Sequence, residues 1–203
     1  MDDLPNRVPH VILSLYHSQG QDMDENKQET IEVAERWDAL DHEGRLLGFD
    51  LIRGRTIPSG VFHAIAEIYT VTPERKVLVT RRGNKTLWPY CWEITTGAVV
   101  KGETPEAGAC RELEEETGLR VEQARLIPVY QVLHRHEIYY GYLYFTALTH
   151  PSVRLQTGET TDYRFLPYSE FKAFVKSDFF AAPLRERFLA HQEHFDRVIQ
   201  DTD

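Results

Sequence analysis

Apolar residues fall in short alternating runs through the middle of the chain and shift to helical spacing towards its end. His63 to Val71 and Lys76-Val77-Leu78-Val79-Thr80 read as strands, and Thr72-Pro73-Glu74-Arg75 between them suits a turn. Val129 to Leu148 reads as a third, longer strand. Within it His134, His136, Ile138, Tyr140, Tyr142 and Tyr144 share one face, and Tyr139, Gly141, Leu143 and Phe145 share the other. Both faces hold large side chains, which predicts a central strand covered on both sides. Upstream, Trp37 to Phe49 has two apolar pieces around an Asp/Gly turn, the pattern of a β-hairpin at a sheet edge. Downstream, Ser169 suits the cap of a helix to about Phe179. Pro183 opens another helix reaching about Ile199, with Leu184, Phe188, His191, Phe195 and Ile199 at helical spacing. Residues 1–33 combine an apolar piece, Val11 to Tyr16, with a polar stretch from Ser18 to Glu29, and read as a peripheral extension.

One further helix has an unusual charge pattern. Thr104 is a good N-cap, Pro105 suits the first helical position, and Gly118 suits the left-handed residue that ends a helix, which predicts a span from Pro105 to Thr117. At about 100° per residue, Glu112, Glu115 and Glu116 fall within an arc of roughly 100°, while Glu114 points nearly opposite. Ala109, Cys110 and Leu113 flank that arc and supply an apolar edge for packing on a sheet. Like charges at this spacing repel, more so where water is excluded, and a divalent cation would relieve the repulsion. Oxygen ligands without His or Cys favour Mg2+ or Mn2+ over zinc or copper. Such a cation takes phosphate oxygens readily, so the pattern points to a phosphoanhydride substrate attacked by water, with a carboxylate accepting the proton.

Composition narrows the field. The 203 residues accommodate one core with peripheral additions, and 41% hydrophobic with 27% charged residues is ordinary globular composition. A net charge of −9 argues against a broad grip on nucleic-acid polymers, which needs clustered Lys and Arg. Cys91 and Cys110 are the only cysteines, too few for a disulfide scaffold. No run approaches the roughly 18 apolar residues of a membrane span, and the expected location is the cytoplasm.

Gly97 to Leu119 resembles the Nudix box at every specified position: Gly97, five residues, Glu103, seven residues, Arg111-Glu112, Leu113, Glu115-Glu116, Gly118 and Leu119. The resemblance implies an α+β Nudix fold, a mixed β-sheet sandwiched between α-helices, here with an N-terminal β-hairpin and C-terminal helices. It implies one domain over 34–203, with the hairpin at 34–55, the core at about 60–170 and C-terminal helices at 169–200. It further implies that Glu112, Glu115 and Glu116 ligate Mg2+ or Mn2+ with help from the Gly97 carbonyl, and that Arg111 and Glu103 hold the helix and loop in position. The implied activity is cleavage of a diphosphate linkage in a nucleoside diphosphate derivative or related small molecule.

Outside the box, Glu159 resembles the further acidic group that family members often supply downstream, and Glu137 is its rival. Arg81 and Arg82 are candidates for a phosphate contact. Trp88 and Trp92 are candidates for stacking on a base, although aromatics in such a loop more often close the core. His134 and His136 read as strand residues and Cys110 as helix packing. The hairpin, the segment Arg81 to Lys85 and the loop Trp88 to Trp92 together are similar to the isopentenyl-diphosphate isomerase branch. True isomerases place a cysteine immediately before the first box glycine, where this chain has Thr96, so hydrolysis is the favoured reading. A module that binds a nucleotide-sugar or ADP-ribose without cutting it is a third. A homodimer built through the hairpin or terminal helices is compatible with the pattern.

Overall fold

The computed structural model describes residues 34–84 and 87–200. The extension at 1–33, with its Val11 to Tyr16 piece, lies outside the described residues. β3 (His63–Val71) and β4 (Lys76–Arg82) form an antiparallel pair joined through Arg75 at φ 59°. β3 also runs parallel to β8 (Glu137–Phe145) along its whole length, from His63 opposite Glu137 to Val71 opposite Phe145. Parallel neighbours need a long crossover, and α1 (Pro105–Thr117) lies within it.

The Val129 to Leu148 run is a hairpin and not one strand. β7 (Ile127–His134) turns at Arg135 and His136 and returns antiparallel as β8. Arg135 takes φ 54° and the His136 Nδ1 lies 3.0 Å from the Val61 carbonyl oxygen. No Gly, Pro, Asn or Asp marks the turn, so the alternation appears continuous through it. The predicted faces hold within β8, where Ile138 and Tyr142 pack with α1 and Leu143 packs with the C-terminal helices.

Three C-terminal helices replace the two predicted. α2 (Tyr168–Phe174) starts before Ser169 and has no side-chain cap. α3 (Ala182–Ala190) and α4 (Gln192–Gln200) are separated by His191, which leaves helical geometry at φ −118°, ψ 11°. Leu184, Phe188, Phe195 and Ile199 still enter one cluster with Tyr69, Val79 and Phe171. That cluster covers one face of the sheet. A second, with Ala66, Ile68, Leu78, Ala109 and Leu113, lies between the other face and α1. The result is an α+β layer arrangement, a mixed sheet between helices.

A separate two-stranded sheet, β1 (Arg36–Leu40) with β2 (Leu46–Ile52), forms the predicted hairpin and joins the core through Leu40 bridged to Phe62. Within the main sheet β3 and β4 pair only at Val71 and Val77, and then splay. Beyond that point β3 takes β6 (Thr95–Ala98) as neighbour, while β4 takes β5 (Trp92–Glu93) and β9 (Thr160–Pro167). The chain crosses from one half to the other at Ile94, and polar side chains enter the core there.

One buried ion pair ties the layers together. Glu67, in the centre of β3 and fully buried, accepts from Arg187 Nε on α3 at 3.0 Å, with a second contact from Nη2 and another from the Tyr130 hydroxyl. The Tyr130 ring lies on Gly141, where a Cβ would come within 2.3 Å of it. Only glycine fits beneath that ring.

Candidate active site

α1 orients the acidic residues. Thr104 Oγ1 accepts from the Ala107 amide at 3.2 Å, and Gly118 at φ 72° donates its amide to Glu114, so both ends are closed as their sequence predicts. Ala109 and Leu113 are fully buried against the sheet and turn Glu112 and Glu116 towards the splay between β3 and β4. The Glu112 carboxylate lies directly on Gly97: a Cβ at that position would sit 2.0 Å from Glu112 Cδ. Any side chain there would expel the carboxylate.

Under the helix, alternation along Trp92-Glu93-Ile94-Thr95 sends Trp92 and Ile94 into the cluster of the C-terminal helices and sends Glu93 and Thr95 to the α1 side. Glu93 is buried and ion-paired with Arg82, whose Nε also donates to the Leu87 carbonyl at 2.7 Å. Glu116 is 7% exposed, and its Oε2 is buried without a hydrogen-bond partner among the described residues. Burial, opposed by Arg82, pushes the Glu93 carboxyl from 4.5 up to about 7. Burial likewise raises Glu112 to about 7 against the pull of Arg111. Glu116 is driven well above the ordinary carboxylate value by burial and then by the charges of Glu93 and Glu112.

Glu93 was not among the residues singled out from sequence. Its signal was a charged residue in an otherwise apolar alternation, and Glu67 within His63 to Val71 sends the same signal.

The three box carboxylates are brought to one helix edge but do not converge on a single point. Arg111 stands between them, with Nη1 donating to Glu112 at 2.7 Å and to Glu115 at 3.0 Å. Its Nε reaches Glu103 at 2.9 Å and its Nη2 reaches the Ala98 carbonyl at 2.8 Å. Glu115 is therefore turned outward, and among the described residues no three carboxylate, imidazole or thiol groups form a preformed metal cage. The donor set nevertheless fits a hard dication. All donors are oxygens, one buried oxygen on Glu116 lacks a partner among the described residues, and the buried Glu93 and Glu116 and the half-buried Glu112 repel one another. Glu114 stands apart and pairs with Arg120 at 2.7 Å.

Other candidates are redistributed. Trp92 is 5% exposed, packed edge-on to Phe174 with the Arg164 guanidinium 4.4 Å from its ring centre, so it closes the core and does not face substrate. Trp88 is half exposed, at φ 59°. Arg82 is committed to Glu93, and Arg81 donates through Nε to the Tyr90 carbonyl at 3.1 Å. Both arginines donate through Nε to carbonyls of the 87–91 loop. Glu159 is exposed in the turn before β9, and its carbonyl accepts from the Gly83 amide at 2.6 Å, beside the Arg82–Thr160 pairing. Glu137 begins β8 opposite His63, at the end of β3 remote from its Val71–Val77 pairing with β4. Cys91 packs on the cluster of the C-terminal helices and Cys110 on the α1 cluster.

The hairpin reaches the box loop directly. The Gly102 amide donates to Asp38 Oδ2 at 2.7 Å, the Lys101 amide donates to the Arg36 carbonyl at 2.8 Å, and Lys101 Nζ pairs with Asp50 at 2.7 Å. On the hairpin's other side Trp37 stacks on His63, with centroids 4.1 Å apart.

Comparison with known proteins agrees with this geometry. The family model described as NUDIX domain matches residues 61–189, which leaves the hairpin outside the match. An uncharacterised Nudix hydrolase of Listeria monocytogenes is 29% identical over 146 residues, covering 70% of this chain and 86% of the relative. The ADP-ribose pyrophosphatase of Bacillus subtilis is 45% identical over 51 residues, 25% of this chain and 28% of that protein. Among solved structures, DR0079 from Deinococcus radiodurans superposes with TM-score 0.59 at 19% identity, over 75% of this chain and 98% of that one. Among the described residues no helix is long and apolar enough to cross a membrane.

Proposed function

The chain belongs to the Nudix family, and from that premise we propose that it is a pyrophosphohydrolase that uses Mg2+ or Mn2+ to cut the diphosphate linkage of a small nucleoside diphosphate derivative. The observation behind this reading is the buried Glu116 oxygen, without a partner among the described residues and crowded by Glu93 and Glu112 at the point where the sheet splays. Glu112, Glu115 and Glu116 would hold the cation with the Gly97 carbonyl. When bound, it supplies Lewis acidity to the phosphoryl oxygens.

The chain's own residues do the rest. Arg111, anchored by Glu103, sets the direction of the Glu112 and Glu115 carboxylates. Arg82 holds Glu93 beneath them. Glu159 makes no side-chain hydrogen bond or ion pair among the described residues and is the carboxylate open to accept the proton of the attacking water. The negative surface charge and the enclosed carboxylates suit a small diphosphate better than a polymer. ADP-ribose is a first substrate to try, since a relative that matches through a short shared segment is named for it.

The experiment is a panel of ADP-ribose, nucleotide sugars, dinucleotides, nucleoside triphosphates and coenzyme A, each with Mg2+ and with Mn2+. Release of two phosphate-bearing products supports hydrolysis. Tight binding without turnover across the panel would make the chain a sensor instead. A shifted double bond in isopentenyl diphosphate without phosphate release would make it an isomerase.

A further inference from the structure

A cavity of about 420 Å3 opens beside the outer edge of α1, lined by Arg111, Glu114, Glu115 and Arg154. Three of its four lining side chains already have ion-pair partners. Glu114 is paired with Arg120, and Glu115 shares Arg111 with Glu103 and Glu112. Arg154 is exposed, and among the described residues its guanidinium makes no hydrogen bond or ion pair. Arg154 is therefore the one cation lining this cavity that has no carboxylate partner among the described residues.

Arg154 is also anchored at its base. Its amide donates to the Thr117 carbonyl at 2.8 Å, and its Cβ packs so closely on Gly118 that a Cβ added there would lie 3.2 Å away. Two residues on, the Gln156 amide donates to the Glu116 carbonyl at 3.3 Å, so this segment is tied to the end of the acidic helix. It continues to Glu159, whose carbonyl is held by Gly83. An anchored arginine with an unused planar fork, next to a carboxylate set for a dication, matches the oxygens of a phosphate group.

We propose that Arg154 is a substrate-binding residue of this chain, contacting the phosphate of the diphosphate that lies towards the Glu115 side of the site. Of the two arginines suggested for this role in sequence, Arg82 is tied to Leu87 and Glu93, and Arg81 donates through Nε to the Tyr90 carbonyl. The inference rests on the hydrolase reading above. The alternative is a purely structural role, in which Arg154 offsets the carbonyl end of α1, whose last turn has no basic residue of its own.

The test compares wild type, Arg154→Ala and Arg154→Lys in Mg2+-supported hydrolysis of the best substrate from the panel, with inorganic pyrophosphate as competing ligand. Losing one charge-assisted phosphate contact, about 1.5–3 kcal/mol, corresponds to a rise in KM and in the pyrophosphate inhibition constant of roughly 10- to 100-fold. Thermal stability should stay close to wild type, and Lys should restore only part of the affinity because it lacks the bidentate fork. An unchanged KM and inhibition constant in Arg154→Ala overturns the inference, as does a lowered melting temperature with unaltered KM. If wild type hydrolyses nothing in the panel, the hydrolase reading fails instead, and direct calorimetric titration of pyrophosphate into both proteins still decides the Arg154 contact.

Discussion

Replacing Glu116 with glutamine should stabilise the metal-free protein while removing most of its activity, two effects of opposite sign from one side chain. The carboxylate is 7% exposed with an unpartnered oxygen, and nearby Arg82 is already paired with Glu93. Its folded pKa is raised above the unfolded value by burial and by the charges of Glu93 and Glu112. Folding therefore favours the protonated form. The associated stability is complete below the ordinary value near 4.5 and is lost as pH rises through the folded value.

At pH 8 without metal, the wild type must either bury the Glu116 charge or hold its carboxyl protonated against the solvent pH, and either state costs several kcal/mol. Glutamine keeps the volume and leaves one unsatisfied amide group, costing about 1–3 kcal/mol. The balance favours the variant by roughly 1–3 kcal/mol, and 2 kcal/mol in a domain of this size corresponds to about 4–8 °C in melting temperature. Turnover should fall by about 10²–10³, the usual effect of deleting one group that stabilises transition-state charge. Thermal unfolding in EDTA and in Mg2+, at pH 5 and pH 8, would be measured beside diphosphate hydrolysis. In EDTA the gain should be present at pH 8 and shrink at pH 5, and Mg2+ should stabilise wild type more than the variant. A variant that melts below wild type in EDTA at pH 8, or that turns over near the wild-type rate in saturating Mg2+, refutes the reasoning. Glu114→Gln is the control: its exposed pair with Arg120 contributes about 0–1 kcal/mol, so stability and rate should barely move.

Arg187→Met leaves the fully buried Glu67 without its cation and should destabilise by about 3–5 kcal/mol. Adding Glu67→Gln should recover part of that loss in urea titrations, and additive losses would show that the two residues are uncoupled. His63 is 5% exposed, and burial holds its imidazole down to about 4 from 6.5. Its stability contribution is present above pH 6.5 and lost as pH falls through about 4, a span worth about 3 kcal/mol. Urea midpoints at pH 7 and pH 5 should therefore differ less in His63→Phe than in wild type, and equal pH dependence would contradict this. Asp38→Ala removes the acceptor that holds the Gly102 amide in the box loop, worth about 1 kcal/mol, so half-maximal activation should need roughly fivefold more Mg2+. An unchanged Mg2+ requirement would show that the hairpin does not brace the loop.

Local chemistry was readable from the chain alone. The ends of α1 follow from Thr104, Pro105 and Gly118, and the shared edge of Glu112 and Glu116 follows from helical periodicity. The edges of β3 and the β1–β2 hairpin were equally visible, because alternation and turn residues act over a few positions. The Arg135–His136 turn was hidden, since a non-glycine residue at positive φ leaves no compositional mark.

Pairings between distant segments were decided by tertiary structure. Arg81, Arg82 and Trp92 lie close together in the chain and looked alike as candidates, yet their roles depend on Tyr90, Glu93 and Phe174. Glu67 is tolerable in the core because Arg187 arrives from a helix 120 residues later. Arg111 separates Glu115 from Glu112 in a way that angle counting along the helix does not reveal. The physical reason is range. Backbone preferences and periodicity are set by neighbouring residues, whereas the value of a buried charge is set by whichever group the fold brings within hydrogen-bonding distance.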